Sequence, residues 1–190
     1  MVSAEVASNV ARTPGAIPAA GIGVALALLV GLPIVLLRAE GTFEAVIILA
    51  AVGVVGGVAA FDLRTRRAPN VVTYPAIAAF TAAAALISLQ TGLEALAGAL
   101  VMFGVFLVIA VAGRGRMGFG DVKMAAVSGA IVGLRGVVPL LLITFVAGAL
   151  VAVFMMVVLK RRRQETVAFT PFLALGVVGC LAAFDLYLVG

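Results

Sequence analysis

Apolar positions in this chain come in long unbroken runs, and the polar positions gather in short stretches between them. Runs at 16–37, 44–61, 71–89, 93–112, 137–159 and 168–189 each approach the length of a membrane-spanning helix, which needs about 20 apolar residues. A shorter run, 122–134, is only marginally long enough. It either spans with help from residues 118–121 or is partly re-entrant. The pattern predicts an all-α protein, a polytopic integral membrane helix bundle of six to seven helices. Residues 1–15, with Ser, Asn, Thr, Pro and Gly, read as a cytoplasmic tail, and 16–190 as a single membrane domain.

The charges favour seven crossings. With the N-terminus in the cytoplasm, the inner segments carry Arg12, the group Arg64, Arg66 and Arg67, the group Arg114, Arg116 and Lys123, and the run Lys160, Arg161, Arg162 and Arg163. The outer side keeps only Arg38 and Arg135. Basic residues resist translocation, so this asymmetry sets the orientation. If 122–134 did not cross, the 160–163 cluster would lie outside, so a span is the better reading. The first run is about 22 residues long and lacks a small-x-small cleavage site, which argues against a secretory signal.

Composition narrows the chemistry. The chain is 65% hydrophobic and 11% charged, against about 25% charged in soluble domains. Its net charge of +5 lies beside apolar spans, so it suggests lipid contact and no nucleic acid. There is no histidine and one cysteine, Cys180, read as a packing residue. His-based metal sites, Ser-His and Cys-His triads and an internal disulfide are excluded. No metal or other cofactor is expected. Gly53/Gly57 and Gly129/Gly133, each four apart, suit close helix contact.

Asp62, in "AAFDLRTRRAPN", ends the second helix, and Asp121, in "GFGDVK", opens the fifth. The orientation puts both at the cytoplasmic ends of their helices. An acid in or beside lipid is costly unless solvated, paired or used. Two carboxyls that share a proton can divide the work of hydrolysis: the ionised one deprotonates water and the protonated one donates to the carbonyl under attack. Gly118 and Gly120 lack Cβ atoms, permit positive φ and leave room for an unwound substrate strand. The bland readings are a helix cap for Asp121 and, for Asp62, an interfacial acid held by Arg64 or Arg66.

These residues resemble a known family. "GFGD" followed by "VK", the upstream "FDLRTRRAPN" and the later "FTPFLALG" at 169–176 are similar to the motifs of the type IV prepilin peptidases and archaeal preflagellin peptidases. The likeness covers roughly 44–176, and at Thr170 the family usually has glycine. It implies a membrane aspartic endopeptidase, with Asp62 and Asp121 as the catalytic pair. Its substrates would be pilin-like precursors, Flp-type or archaellin-like, cut at the cytoplasmic face of the cell membrane after a short basic leader. The paired cysteines and N-terminal segment of the bifunctional, N-methylating members are not found in this sequence, so the peptidase alone is expected.

Other residues carry less. Lys123 is about 200° around a helix from Asp121. It is read first as snorkelling to phosphate and second as pairing with an acidic substrate residue. Asn70 is a possible substrate contact but more simply the N-cap of the third helix. The Arg64–Arg67 and 160–163 clusters read as lipid-binding topology signals. Ser128 and Lys123 are turned too far apart for a Ser-Lys hydrolase. Asp185 lies near the outer end of the last helix, with Tyr187 at the interface. The rival functions are a transporter or proton relay, which would hold its acids near the midplane, and a scaffold without chemistry. Oligomeric state is not legible.

Overall fold

Each apolar run begins or ends where a residue supplies a cap, a turn or a break, and these points set the helix boundaries. The structure, a computed structural model, describes residues 25, 27–39, 41–65, 70–113, 117–157 and 169–183. Among these residues every regular element is helical. A short π-helical stretch, Ala27–Gly31, leads into α1, Leu32–Arg38. Then follow α2, Thr42–Thr65, α3, Asn70–Ile87, α4, Leu89–Ala112, α5, Phe119–Val157, and α6, Thr170–Ala183. The 1–15 tail, Arg12, Arg66, Arg67, Pro69, Arg114, Arg116, the 160–163 cluster, Asp185 and Tyr187 lie outside the described residues, as does the side chain of Arg64.

Helices α3 and α4 form a tight hairpin. Ser88 adopts extended backbone between them, and its Oγ accepts the Thr91 amide proton at 3.1 Å, capping α4. Gly92 sits directly on Ala85, where a Cβ would come within 2.7 Å of the alanine Cβ. One turn and a half further on, Gly98 meets Gly129 and Gly133 of α5, backbone against backbone. This is the close approach that small residues permit between membrane helices.

The main departure from expectation is in α5. The runs 122–134 and 137–159 are joined in one element, interrupted only at Gly133, with φ 67° and ψ 179°. Asp121 therefore lies in the first turn of a helix that begins at Phe119, rather than opening it. Contacts with α4 show what the interruption does. Phe119 touches Phe103, Arg135 pairs with Glu94, and Phe145 stacks on Phe106. Residues 119 and 145 thus lie at one level of α4, and residue 135 near its other end. The chain reverses at Gly133, and both arms run along α4.

The last helix continues the alternation. Phe169 and Phe172 lie over Gly148, and Gly176 lies over Leu140 and Thr144, so α6 runs back along the second arm of α5. At its far end Ala182 O accepts from Arg38 Nε and Nη2, at 3.1 and 2.9 Å. The bundle accordingly has an arginine end, with Arg38, Arg135 and Glu94, and an aspartate end, with Asp62, Asn70, Asp121 and Thr170.

Among the described residues four helices are long and apolar enough to cross a membrane: Thr42–Leu63, Asn70–Ile87, Leu89–Ala112 and Phe119–Phe154. Length and composition thus give four spans where seven were expected. The described parts of the first and last runs are short, and the two middle runs are fused. Large apolar side chains such as Leu36, Leu86, Leu100 and Leu150 point outward, while Ala51, Val55, Ala99 and Ala130 fill the interior. Cys180 is buried and free, consistent with packing.

Gly133 is the residue on which the reversal depends, because its backbone lies in a region open essentially only to glycine. Gly133→Ala is expected to lower stability by about 1–3 kcal/mol. The check is the unfolding midpoint of the detergent-solubilised protein beside that of Gly41→Ala, where a Cβ meets nothing within 4 Å.

Candidate active site

Asp62 enters the aspartate end from the last turn of α2, and Asp121 from the first turn of α5. Asp62 is only 6% exposed, and the partners expected for it as an interfacial acid, the Arg64 side chain and Arg66, lie outside the described residues. Asp121 is half-buried and lies within electrostatic reach of Asp62. The two carboxyls that the sequence singled out are thus neighbours in space. Both stand at helix ends rather than in mid-helix, where the rival transporter reading would place them.

Asp121 takes its partners from another helix. Thr170 Oγ1 donates to Asp121 Oδ1 at 2.9 Å. The backbone N–H groups of Phe169 and Thr170 also donate to this carboxylate. These amides belong to the N-terminus of α6, where unpaired N–H groups and the helix dipole favour a negative charge. The expected alternative, a cap for its own helix, does not account for Asp121. Its own backbone N–H bonds to Gly118 O at 3.0 Å, and its carboxylate is spent on α6.

Aromatic packing holds the α6 N-terminus in place. Phe169 lies 5.6 Å from the Phe106 ring and 5.8 Å from those of Phe145 and Phe172, centroid to centroid. Helices α4, α5 and α6 are thereby pinned together directly beneath Asp121. Sequence reasoning missed Phe169 and Thr170 as site residues. Thr170 was noticed only as a departure from the family pattern, although a hydroxyl just before Pro171 is itself a helix-start signal.

The glycines provide space and not unusual backbone. Among the described residues only Gly133 has positive φ, so neither Gly118 nor Gly120 uses the freedom expected of it. A Cβ on Gly118 would sit 3.7 Å from Asp121 Oδ2. Its absence leaves room beside that oxygen. Gly118 is exposed and Gly120 half-buried.

Lys123 and Asn70 form a separate feature beside the pair. Lys123 Nζ donates to Asn70 Oδ1 at 2.6 Å. It also lies 5.2 Å from the centre of the Tyr74 ring and 5.0 Å from that of Phe119. The ammonium group is therefore turned to α3 instead of snorkelling as expected, and Asn70 gives its side-chain oxygen to Lys123 instead of capping α3. The cause is rotation: two residues along α5 from Asp121, Lys123 faces the neighbouring helix. Ser128 Oγ donates to Met124 O at 2.9 Å in the buried helix, a local bond with no catalytic partner.

The sequence model of the type IV leader peptidase family matches residues 47–153, more than half of the chain and including both aspartates. The chain belongs to that family. No curated protein and no solved structure gives a significant match. As a type IV leader peptidase the chain is a membrane protease of the prepilin peptidase kind, and membership implies cleavage of leader peptides from pilin-like precursors. The matched region ends before α6, so the contacts that Phe169 and Thr170 make with Asp121 are a finding of the structure beyond it.

In this leader peptidase the Lys123–Asn70 bond ties α3 to α5. A double-mutant cycle with Lys123→Met and Asn70→Ala is expected to give a coupling of about 1 kcal/mol, the discounted value for a charged hydrogen bond that water can reach. Thermal unfolding of the four proteins in detergent measures it, and additive losses would mean that the bond contributes nothing.

Proposed function

We propose that this leader peptidase is an aspartic endopeptidase of the GxGD type, with Asp62 and Asp121 as its catalytic pair. The observation that carries the reading is the proximity of the two carboxyls at one end of the bundle, in a chain of this family. One carboxylate takes a proton from water as the water oxygen attacks the scissile carbonyl carbon. The other, protonated, gives its proton to the carbonyl oxygen. The tetrahedral intermediate then collapses: the carboxyl that took the water proton gives it to the leaving amine as the C–N bond breaks, and a hydroxyl of the intermediate returns its proton to the other carboxylate. The open side of Asp121 at Gly118 and Gly120 takes the unwound substrate strand, and Lys123 and Asn70 stand beside that slot.

The substrate in this reading is a pilin-like precursor, Flp-type or archaellin-like, with a short basic leader before a hydrophobic helix. The cut falls at the cytoplasmic face of the cell membrane, in contact with lipid. Alternating helix directions and the reversal at Gly133 support seven crossings with a cytoplasmic N-terminus. The basic residues that flank the aspartate end in sequence support placing that end inside.

Asp62→Asn and Asp121→Asn are each expected to slow leader removal by about a hundredfold or more, the usual scale of acid–base catalysis. The assay co-expresses each variant with a precursor of this class from the same genome and follows its mobility shift. Accumulation of the variants in the membrane separates lost chemistry from lost protein, and full cleavage by either would refute the pair.

Orientation has its own test. In a Cys180→Ala background, Gly41→Cys is expected to react with an impermeant maleimide in intact cells. Leu63→Cys, exposed at the other end, is expected to react only after the membrane is opened. The reverse result would overturn the cytoplasmic placement.

A further inference from the structure

The catalytic reading leaves one question open: what holds the Asp121 carboxyl in its direction. Asp121 accepts from the Thr170 hydroxyl at 2.9 Å and from the amides of Phe169 and Thr170. Thr170 is fully buried, so its hydroxyl has no water to turn to. Asp62, itself buried, projects from α2 into the same end of the bundle. Hydrogen bonds to a carboxylate favour its charged form, and burial favours the neutral form.

We propose that Thr170 is a positioning residue for the peptidase reaction: its buried hydroxyl holds Oδ1 of Asp121 and so fixes the direction in which that carboxyl faces the substrate. The inference rests on the reading of Asp62 and Asp121 as the catalytic pair. With Oδ1 held by the hydroxyl, Oδ2 is the oxygen beside Gly118, where a Cβ would stand 3.7 Å away. Oδ2 therefore faces the side on which the glycine leaves room.

Few other groups can influence the pair among the described residues. The other acid of α2, Glu44, is in its first turn, at the opposite end. Helix α4 has one acid, Glu94, which pairs with Arg135 at the arginine end. From α3 come Asn70 and Tyr74, both engaged with Lys123 of α5. In α6 the titratable group is Cys180, more than two turns beyond Thr170.

The test measures leader removal by purified protein in lipid vesicles, from a precursor with a basic leader and a hydrophobic helix, across a range of pH. Wild type, Thr170→Val, Thr170→Ala, Thr170→Ser and Asp121→Asn are compared. Valine and alanine, which remove the hydroxyl, are expected to lower kcat about ten- to a hundredfold with a smaller change in KM. They are also expected to move the acidic limb of the profile to higher pH by about one unit or more, because a carboxylate that loses a donor takes up a proton more readily. Serine, which keeps the hydroxyl, is expected to restore both.

Wild-type kcat and an unmoved acidic limb in the valine or alanine variant, with Asp121→Asn inactive, would overturn the role of Thr170 and leave the catalytic pair standing. A lower rate with an unmoved limb, unrescued by serine, would also overturn it, since that is what mere loosening of the fold produces. Full activity of Asp121→Asn would instead remove the pair itself. If the valine protein fails to accumulate, the alanine and serine proteins decide between the same outcomes.

Discussion

A carboxylate at the edge of a hydrocarbon layer must be given hydrogen-bond donors, and Asp121 finds them on a helix remote in sequence. The hydroxyl of Thr170 and the amides at the start of α6 close around it. The same contact that makes the charge tolerable joins α5 to α6 and fixes where the acid points. Everything else at this end of the bundle serves that junction. The Phe106, Phe145, Phe169 and Phe172 rings hold the α6 N-terminus, and Gly118 leaves room beside Asp121 Oδ2.

The junction in turn depends on a constraint near the opposite end. Helix α5 would be far longer than a bilayer is thick if it ran straight, since an α-helix rises about 1.5 Å per residue. The break at Gly133 folds it into two arms on one face of α4. Gly98 and Gly129 let the first arm lie against α4 backbone to backbone. That close approach brings Phe119 to Phe103 and so sets the height of Asp121. The second arm carries Phe145 and Gly148, on which α6 rests. A single glycine thus places the acid on one arm and its donors, through α6, on the other.

Much of this is legible in the sequence. Long apolar runs give a helical membrane protein, because lipid allows no exposed backbone polar groups. Asp62 and Asp121 stand out because acids are rare in such runs, and "GFGD" and "FDLRTRRAPN" carry the family likeness that the family match bears out. What the sequence does not show are contacts made by tertiary packing. Nothing local in "FTPFLALG" says that Thr170 reaches Asp121, or in "NVVTY" that Asn70 engages Lys123. Gly133 looks like a packing glycine because its spacing from Gly129 suits a helix face, while its backbone in fact interrupts the helix. Lys123 was expected to snorkel because position alone cannot tell a lipid phosphate from a neighbouring helix.

The central claim is that Asp62 and Asp121 hold one proton between them. Infrared spectroscopy of the protein carrying isotope-labelled aspartate tests it directly, since the chain has only one further aspartate, Asp185. At neutral pH the account predicts a single protonated aspartate carboxyl beside ionised ones. A spectrum with every aspartate ionised, or with both members of the pair protonated, would contradict it.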